Sequence, residues 1–146
     1  MLALTKKTGY GLIAMTHLAK LEGGKLASAR EIGDCYEVPL SLLMNVLKEL
    51  AAAGYVESVR GAHGGYRLAR RPEAINLAEV VGALEGPIRL SECLTDQAGK
   101  DGECTCQVMA RCPILDPVHR VQRKINDFLR KVTLAEVLEP AGVTGE

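Results

Sequence analysis

No apolar run in this 146-residue chain approaches the roughly 20 residues that a membrane span requires. Lys6 and Lys7 are not followed by a signal-type apolar stretch with a small-residue cleavage site. These absences predict a cytoplasmic protein with no membrane partner. A Walker lysine motif, a His-Glu-x-x-His zinc motif and a nucleophile elbow are also missing, so no enzyme chemistry is expected. Net charge is absent too, because 18 basic and 18 acidic side chains cancel. A zero sum argues against a protein that coats nucleic acid, but distribution matters more. Arg60, Arg67, Arg70 and Arg71 fall in one stretch that contains no acid, whereas Asp96, Asp101 and Glu103 make a later stretch acidic. A neutral protein with one basic face can still bind DNA, with an affinity scaled by phosphate contacts.

The length fits one compact unit with a dimerisation element better than two independent domains. Thr5 or Thr8 can cap a first helix whose apolar residues Leu12, Ile13, Leu18, Ala19 and Leu21 recur at helical spacing before Gly23-Gly24. Ser28-Ala-Arg-Glu31 reads as a capping box opening a short second helix to about Tyr36. After a turn at Glu37 to Pro39, the stretch from Leu40 to Ala53 sets Leu43, Val46, Leu47 and Leu50 on one face, with Gly54 as a left-handed cap. That short spacing is the spacing of a helix-turn-helix. Two strand-like runs, Tyr55 to Arg60 and Tyr66 to Ala69, flank Gly61-Ala-His-Gly-Gly65 and predict a hairpin wing. Asn76-Leu-Ala-Glu79 is a second capping box, for a helix ended by Gly86-Pro87.

From about Pro113 to Val132, Leu115, Val118, Val121, Ile125, Phe128, Leu129 and Val132 form an apolar stripe on a charged helix, and such a stripe needs a partner. Thr133-Leu-Ala-Glu136 caps a last short helix that Pro140 stops. The expected fold is therefore mainly α: a winged helix-turn-helix DNA-binding domain with a small β-hairpin over 1–86, a cysteine-rich loop over 87–112, a long dimerisation helix with a short terminal helix over 113–140, and a flexible tail over 141–146.

DNA recognition is carried by physical fit. A helix enters a major groove about 12 Å wide, and short polar side chains on its outer face read base edges. Ser41, Met44, Asn45 and Lys48 lie opposite the apolar stripe of the third helix. Asn45 can pair with adenine, Met44 can contact a thymine methyl, and Ser41 and Lys48 can reach phosphate or base edges. A solvated polar face describes most such surfaces, and it is the adjacent basic wing that favours DNA. In the wing, Arg60, Tyr66 and Arg67 flank glycines that permit close backbone approach to phosphate, and His63 sits at the tip.

Four of the five cysteines, Cys93, Cys104, Cys106 and Cys112, fall between Glu92 and Pro113, separated by ten, one and five residues. In a reducing compartment, clustered thiols bind metal or sense redox more often than they form structural disulfides. Zinc sites bring ligands as pairs two to four apart and match this spacing poorly. Iron–sulfur clusters take thiolates, tolerate irregular loop spacing and allow a non-cysteine ligand. Unliganded reactive thiols are the plain alternative. Cys35, alone in the second helix, reads as a buried small hydrophobe.

The opening Leu4-Thr5-Lys6 with Tyr10, the wing Val59-Arg-Gly-Ala-His-Gly-Gly-Tyr66-Arg-Leu, the segment Glu85-Gly-Pro, the cysteine loop and Val132-Thr-Leu-Ala-Glu-Val137 together resemble the Rrf2 family of winged helix-turn-helix regulators, in its iron–sulfur-sensing branch. The resemblance implies a homodimer through the 113–132 helix, a two-fold-related double-stranded DNA operator, and a two-iron or four-iron cluster held by three cysteines before the long helix. It assigns Cys93, Cys106 and Cys112 as those ligands and leaves Cys104 additional. Leu115 stands where one branch has a histidine and Gly9 where another has an aspartate. The fourth ligand is then Cys104, a partner-subunit residue or a small exogenous ligand. The expected function is a cluster-sensing transcriptional regulator, a repressor of iron–sulfur assembly or of iron, redox or nitric-oxide stress genes. The alternatives are a thiol- or zinc-dependent redox regulator of the same fold, or an iron–sulfur carrier.

Overall fold

A computed structural model of the chain describes residues 4–91, 94 and 106–139. It contains α1 (Lys6–Ala19), α2 (Ala29–Tyr36), α3 (Leu40–Ala52), β1 (Val56–Val59), β2 (Gly65–Leu68), a 3-10 turn (Pro72–Ala74), α4 (Leu77–Glu85), a second 3-10 turn (Met109–Arg111), α5 (Leu115–Lys131) and α6 (Leu134–Leu138). The mainly helical winged architecture expected from the sequence is what the chain forms. None of these helices is long and apolar enough to cross a membrane.

Local chemistry accounts for most element boundaries. All three capping boxes form: Ser28 with Glu31, Asn76 with Glu79 and Thr133 with Glu136, each side-chain oxygen accepting from a backbone N–H that the helix leaves unpaired. Helix α3 ends with Gly54 at φ 82°, while the Tyr55 N–H reaches back to the Leu50 carbonyl at 3.0 Å. The helix-turn-helix corner is made by Glu37 at φ 55°, a left-handed conformation that costs a residue with a Cβ about 1 kcal/mol. Helix α1 departs from expectation. Thr5 occupies the N-cap position without a side-chain cap bond, and Thr8 is fully buried inside the helix. Both hydroxyls are committed to Glu85 instead.

The core lies where α1, α2, α3 and α4 converge, around Met15, Ile32, Leu43, Leu47, Leu50, Ile75 and Val80, all with essentially no exposed surface. Burying each such side chain contributes on the order of 1.5–3 kcal/mol, so the α3 stripe alone fixes that helix firmly against its neighbours. The strands pair antiparallel in the register Val56 to Leu68 and Val59 to Gly65. Tyr66 also exchanges backbone hydrogen bonds with Ala27, which ties the wing to the segment before α2. At the other end, the Leu77 N–H donates to the Val132 carbonyl and the Leu134 N–H to the Ile75 carbonyl, so the starts of α4 and α6 lie side by side with Leu134 buried between them. This bridge and the packing of α5 on α4 hold the long helix against the winged domain.

Candidate nucleic-acid interface and cysteine loop

Helix α3 buries Leu43, Val46, Leu47 and Leu50 and exposes Ser41, Met44, Asn45 and Lys48, which share the opposite face. A helix pinned along one side with an amide, a thioether, a hydroxyl and an ammonium on the other can present hydrogen-bond and apolar contacts to base edges. Leu42, also exposed, flanks this surface.

The wing is less cationic than its sequence suggests. Arg67 stands directly across the ladder from Glu57, and its Nε donates to the carboxylate at 2.8 Å. This bond lowers the pKa of Glu57 and raises that of Arg67. Arg70 lies over the Tyr55 ring at 5.1 Å and within 3.7 Å of Glu79. Among the described residues Arg60 and Arg71 make no ion pair, so they are the cations most available to phosphate. His63 is exposed at the tip. Tyr66 is half-buried and packs against the core, so it anchors the wing from below.

The glycines of the tip serve the protein's own backbone before any ligand. A Cβ on Gly64 would stand 2.2 Å from the Val59 carbonyl oxygen, one on Gly65 would stand 2.8 Å from that of Ala27, and Gly61 has φ 125°. No side chain fits the first two positions and few tolerate the third. The close approach expected towards phosphate is therefore in the first place an approach of chain to chain.

Of the proposed thiols, Cys93 and Cys104 lie outside the described residues. Cys106 is exposed and Cys112 half-buried, both as free thiols, on either side of the Met109–Arg111 turn and immediately before α5. Among the described residues no group of three or more His, Cys, Asp or Glu side chains could hold a metal. The two described thiols are accessible and unpaired, which fits thiolate ligation in kind. Cys35 corrects the sequence reading: it is exposed on α2 rather than buried. It contacts Tyr36, whose hydroxyl lies 3.0 Å from Nδ1 of His17. A period of 3.6 places Cys35 at the edge of the face that buries Ala29, Ile32 and Gly33, on its solvent side.

Two polar devices flank the loop. Glu85, the last residue of α4, accepts from the Thr5 N–H at 3.2 Å and from the hydroxyls of Thr5 and Thr8. These bonds, chiefly that from Thr5, hold its carboxyl below the usual carboxylate range against the opposing effect of burial. Beside it, Lys7 donates to the Leu84 carbonyl at 2.8 Å and pairs with Glu49 at 2.7 Å. On α5, buried Gln122 accepts from the Leu90 N–H and donates to the Ile88 carbonyl, both at 2.7 Å. Sequence reasoning noticed Glu85 only within a motif and missed Gln122. The signal was available, since Gln122 falls four residues after Val118 and three before Ile125, where the apolar stripe calls for an apolar side chain.

That stripe divides in two. Leu115, Val118, Ile125, Leu129 and Val132 turn inward and are half-buried, while Val121 and Phe128 remain 48% and 65% exposed and Ile114, at the N-cap, 60%. An apolar groove of about 700 Å³ runs beside them, lined by Leu4, Val81, Ile88, Val121, Ile125 and Phe128 among others.

The family model for Rrf2, described as an iron-dependent transcriptional regulator, matches residues 4–140. The HTH-type transcriptional regulator NsrR of Bacillus licheniformis is 32% identical over 135 residues, covering 92% of this chain and 91% of that protein. The solved structure of CymR, the global cysteine regulator of B. subtilis, aligns with TM-score 0.72 at 30% identity over 94% of this chain and 97% of the other. T. potens IscR aligns with TM-score 0.69 at 27% identity over 99% and 93%. The family description and the names of the NsrR and CymR relatives are those of regulators rather than enzymes.

Proposed function

The chain belongs to the Rrf2 family of transcriptional regulators, and from that premise we propose that it is a homodimeric operator-binding protein whose affinity for DNA is set by an iron–sulfur cluster on Cys93, Cys106 and Cys112. Cys104, a partner residue or an exogenous ligand completes the set.

The observation that carries this reading is the position of Cys106 and Cys112. Accessible thiols precede α5, whose N-cap Ile114 and helical residues Val121 and Phe128 recur every seven residues and stay exposed. A seven-residue apolar repeat is the pattern with which one helix packs on another. In an isologous pair the seam of one copy meets the same seam of the next, with the neighbouring groove continuing the apolar surface. Two winged domains so joined are suited to a two-fold-related operator, with half-sites about 34 Å apart or a multiple of it.

Each part of the chain then has a defined task. Asn45 and Met44 read base edges, Ser41, Lys48 and Arg60 hold backbone or base edges, and His63 and Arg67 lie at the wing surface. Thiolates of the loop bind the cluster. A bound cluster supplies a covalent cross-link that oxidants or nitric oxide can dismantle. Ligation would tie the loop thiols to the segment before α5 and so bias how that helix holds the two recognition helices, and a small change in half-site spacing would alter operator affinity.

The family's iron dependence supports the cluster reading, and the likeness to a cysteine regulator favours, as second reading, a thiol- or zinc-dependent switch on the same fold. Anaerobic purification separates them. The cluster reading expects coloured protein with iron and acid-labile sulfide, lost in Cys106→Ser and Cys112→Ser variants, together with a shift of promoter DNA at low salt. Colourless protein free of iron and sulfide that still shifts the DNA selects the second reading, and coloured protein that binds no promoter selects a carrier.

A further inference from the structure

Gln122 is anomalous for its surroundings. It lies on the inward face of α5, 7% exposed, between half-buried Val118 and Ile125. Leucine there would bury apolar area without desolvating an amide. The amide is instead paired at both ends: its oxygen accepts from the Leu90 N–H, and its nitrogen donates to the Ile88 carbonyl and, at 3.0 Å, to Oδ1 of Asn126. The assignment of oxygen and nitrogen follows from the partners, since a backbone N–H can only donate and a carbonyl can only accept. One side chain thus pairs with the donor of one residue and the acceptor of another two positions away, as a neighbouring strand would.

This clamp sits where it can act on the cysteine loop. Gly86, at φ 83°, ends α4 and turns the chain into residues 87–91, which pass over α5 and lead into the loop. The other end of the loop enters α5 itself, the Leu115 N–H donating to the Cys112 carbonyl. Both ends of the loop are therefore fixed to one helix, seven residues or about 10 Å apart along its axis. Apolar contacts between α4 and α5 constrain separation but permit sliding, whereas two directional bonds fix register.

We propose that Gln122 is the positioning residue that makes the 88–90 stem and α5 move as one body, so that ligation of the loop thiols is transmitted to the long helix and from there to the DNA-reading domain. The inference rests on the function proposed above. It assigns Gln122 no contact with cluster or DNA.

The test compares wild-type and Gln122→Leu protein, each prepared anaerobically with and without cluster. Three quantities are read: iron and sulfide content, amide exchange in residues 88–90 and 115–122, and affinity for one operator. In the variant without cluster, the Leu90 amide is expected to exchange roughly fivefold to tenfold faster, as loss of one hydrogen bond implies. Iron content stays at the wild-type level, and the ratio of loaded to unloaded operator affinity falls towards one. A variant that keeps the wild-type ratio while losing only thermal stability overturns the proposal. Should Gln122→Leu fail to fold, wild-type protein alone decides, because protection of 88–90 and 115–122 must rise together on loading. Independent responses of the two segments overturn the proposal. A wild-type affinity ratio of one overturns the proposed function itself, and this inference with it.

Discussion

Phe128→Ala is the most direct probe of how two copies meet. Phe128 is 65% exposed, and a phenylalanine presents about 150–250 Å² of side-chain surface, so on the order of 130 Å² is free to be covered. At about 25 cal/mol per Å² that area contributes about 3 kcal/mol. An isologous interface contains the residue twice, which sets an upper bound of about 6 kcal/mol per dimer. Ordering of side chains on association reduces the gain, and the expected outcome is a dimer dissociation constant raised about 10²- to 10⁴-fold. Sedimentation equilibrium across a concentration series measures it. Because about a third of the ring's surface is covered within the monomer, intrinsic monomer stability should fall by no more than about 2 kcal/mol, whereas the thermal midpoint at fixed concentration falls further with the lost dimer. Leu42→Ala serves as control, being comparably exposed on α3 and outside the seam. An unchanged dimer constant for Phe128→Ala, or an equal effect from Leu42→Ala, would refute the assignment of the Ile114–Val121–Phe128 seam as the interface.

Four further outcomes are expected. Glu57→Gln removes the charge that holds Arg67, so the plot of log affinity against log salt should steepen by about 0.9 if the freed guanidinium takes one phosphate; an unaltered slope places Arg67 away from the backbone. Asn45→Ala should reduce discrimination at one base pair by about 1–3 kcal/mol in competition binding while leaving non-specific binding intact, and a uniform loss over all sequences contradicts its role as a base reader. Gly65→Ala forces a methyl towards the Ala27 carbonyl and should destabilise the fold by about 1–3 kcal/mol in denaturant titration, an outcome excluded if stability is retained. Glu85 has a folded-state pKa below its unfolded value, so its contribution to stability is fully present above the unfolded carboxylate range and is lost as pH falls through the folded value; the Glu85→Gln variant should therefore show a flatter decline of thermal midpoint in that acidic window, and parallel declines for the two proteins would remove the latch.

Elements stabilised by short-range chemistry were legible in the sequence. The capping boxes and Gly54 act on neighbours a few residues away, and the α3 stripe follows the helical period; all are found where the spacing put them. Long-range choices were not. Nothing local reveals that Thr5 and Thr8 serve Glu85 some eighty residues on rather than capping α1, or that Arg67 spends its charge on Glu57 across the ladder. Cys35 shows the limit of periodicity in an eight-residue helix, where one position of rotation separates core from solvent. The split of the α5 stripe into a buried side and an exposed seam depends on which neighbour α4 occupies, which the pattern of apolar residues leaves open.

The claim at the centre of the account is that the chemical state of the cysteine loop changes how the paired winged domains hold DNA. Fluorescence titration of one operator, under matched anaerobic buffer and salt, with the same preparation before and after removal of its iron, measures this directly. The account expects the two curves to differ in midpoint for the operator and to coincide for random DNA. Coincident curves for the operator as well would contradict it.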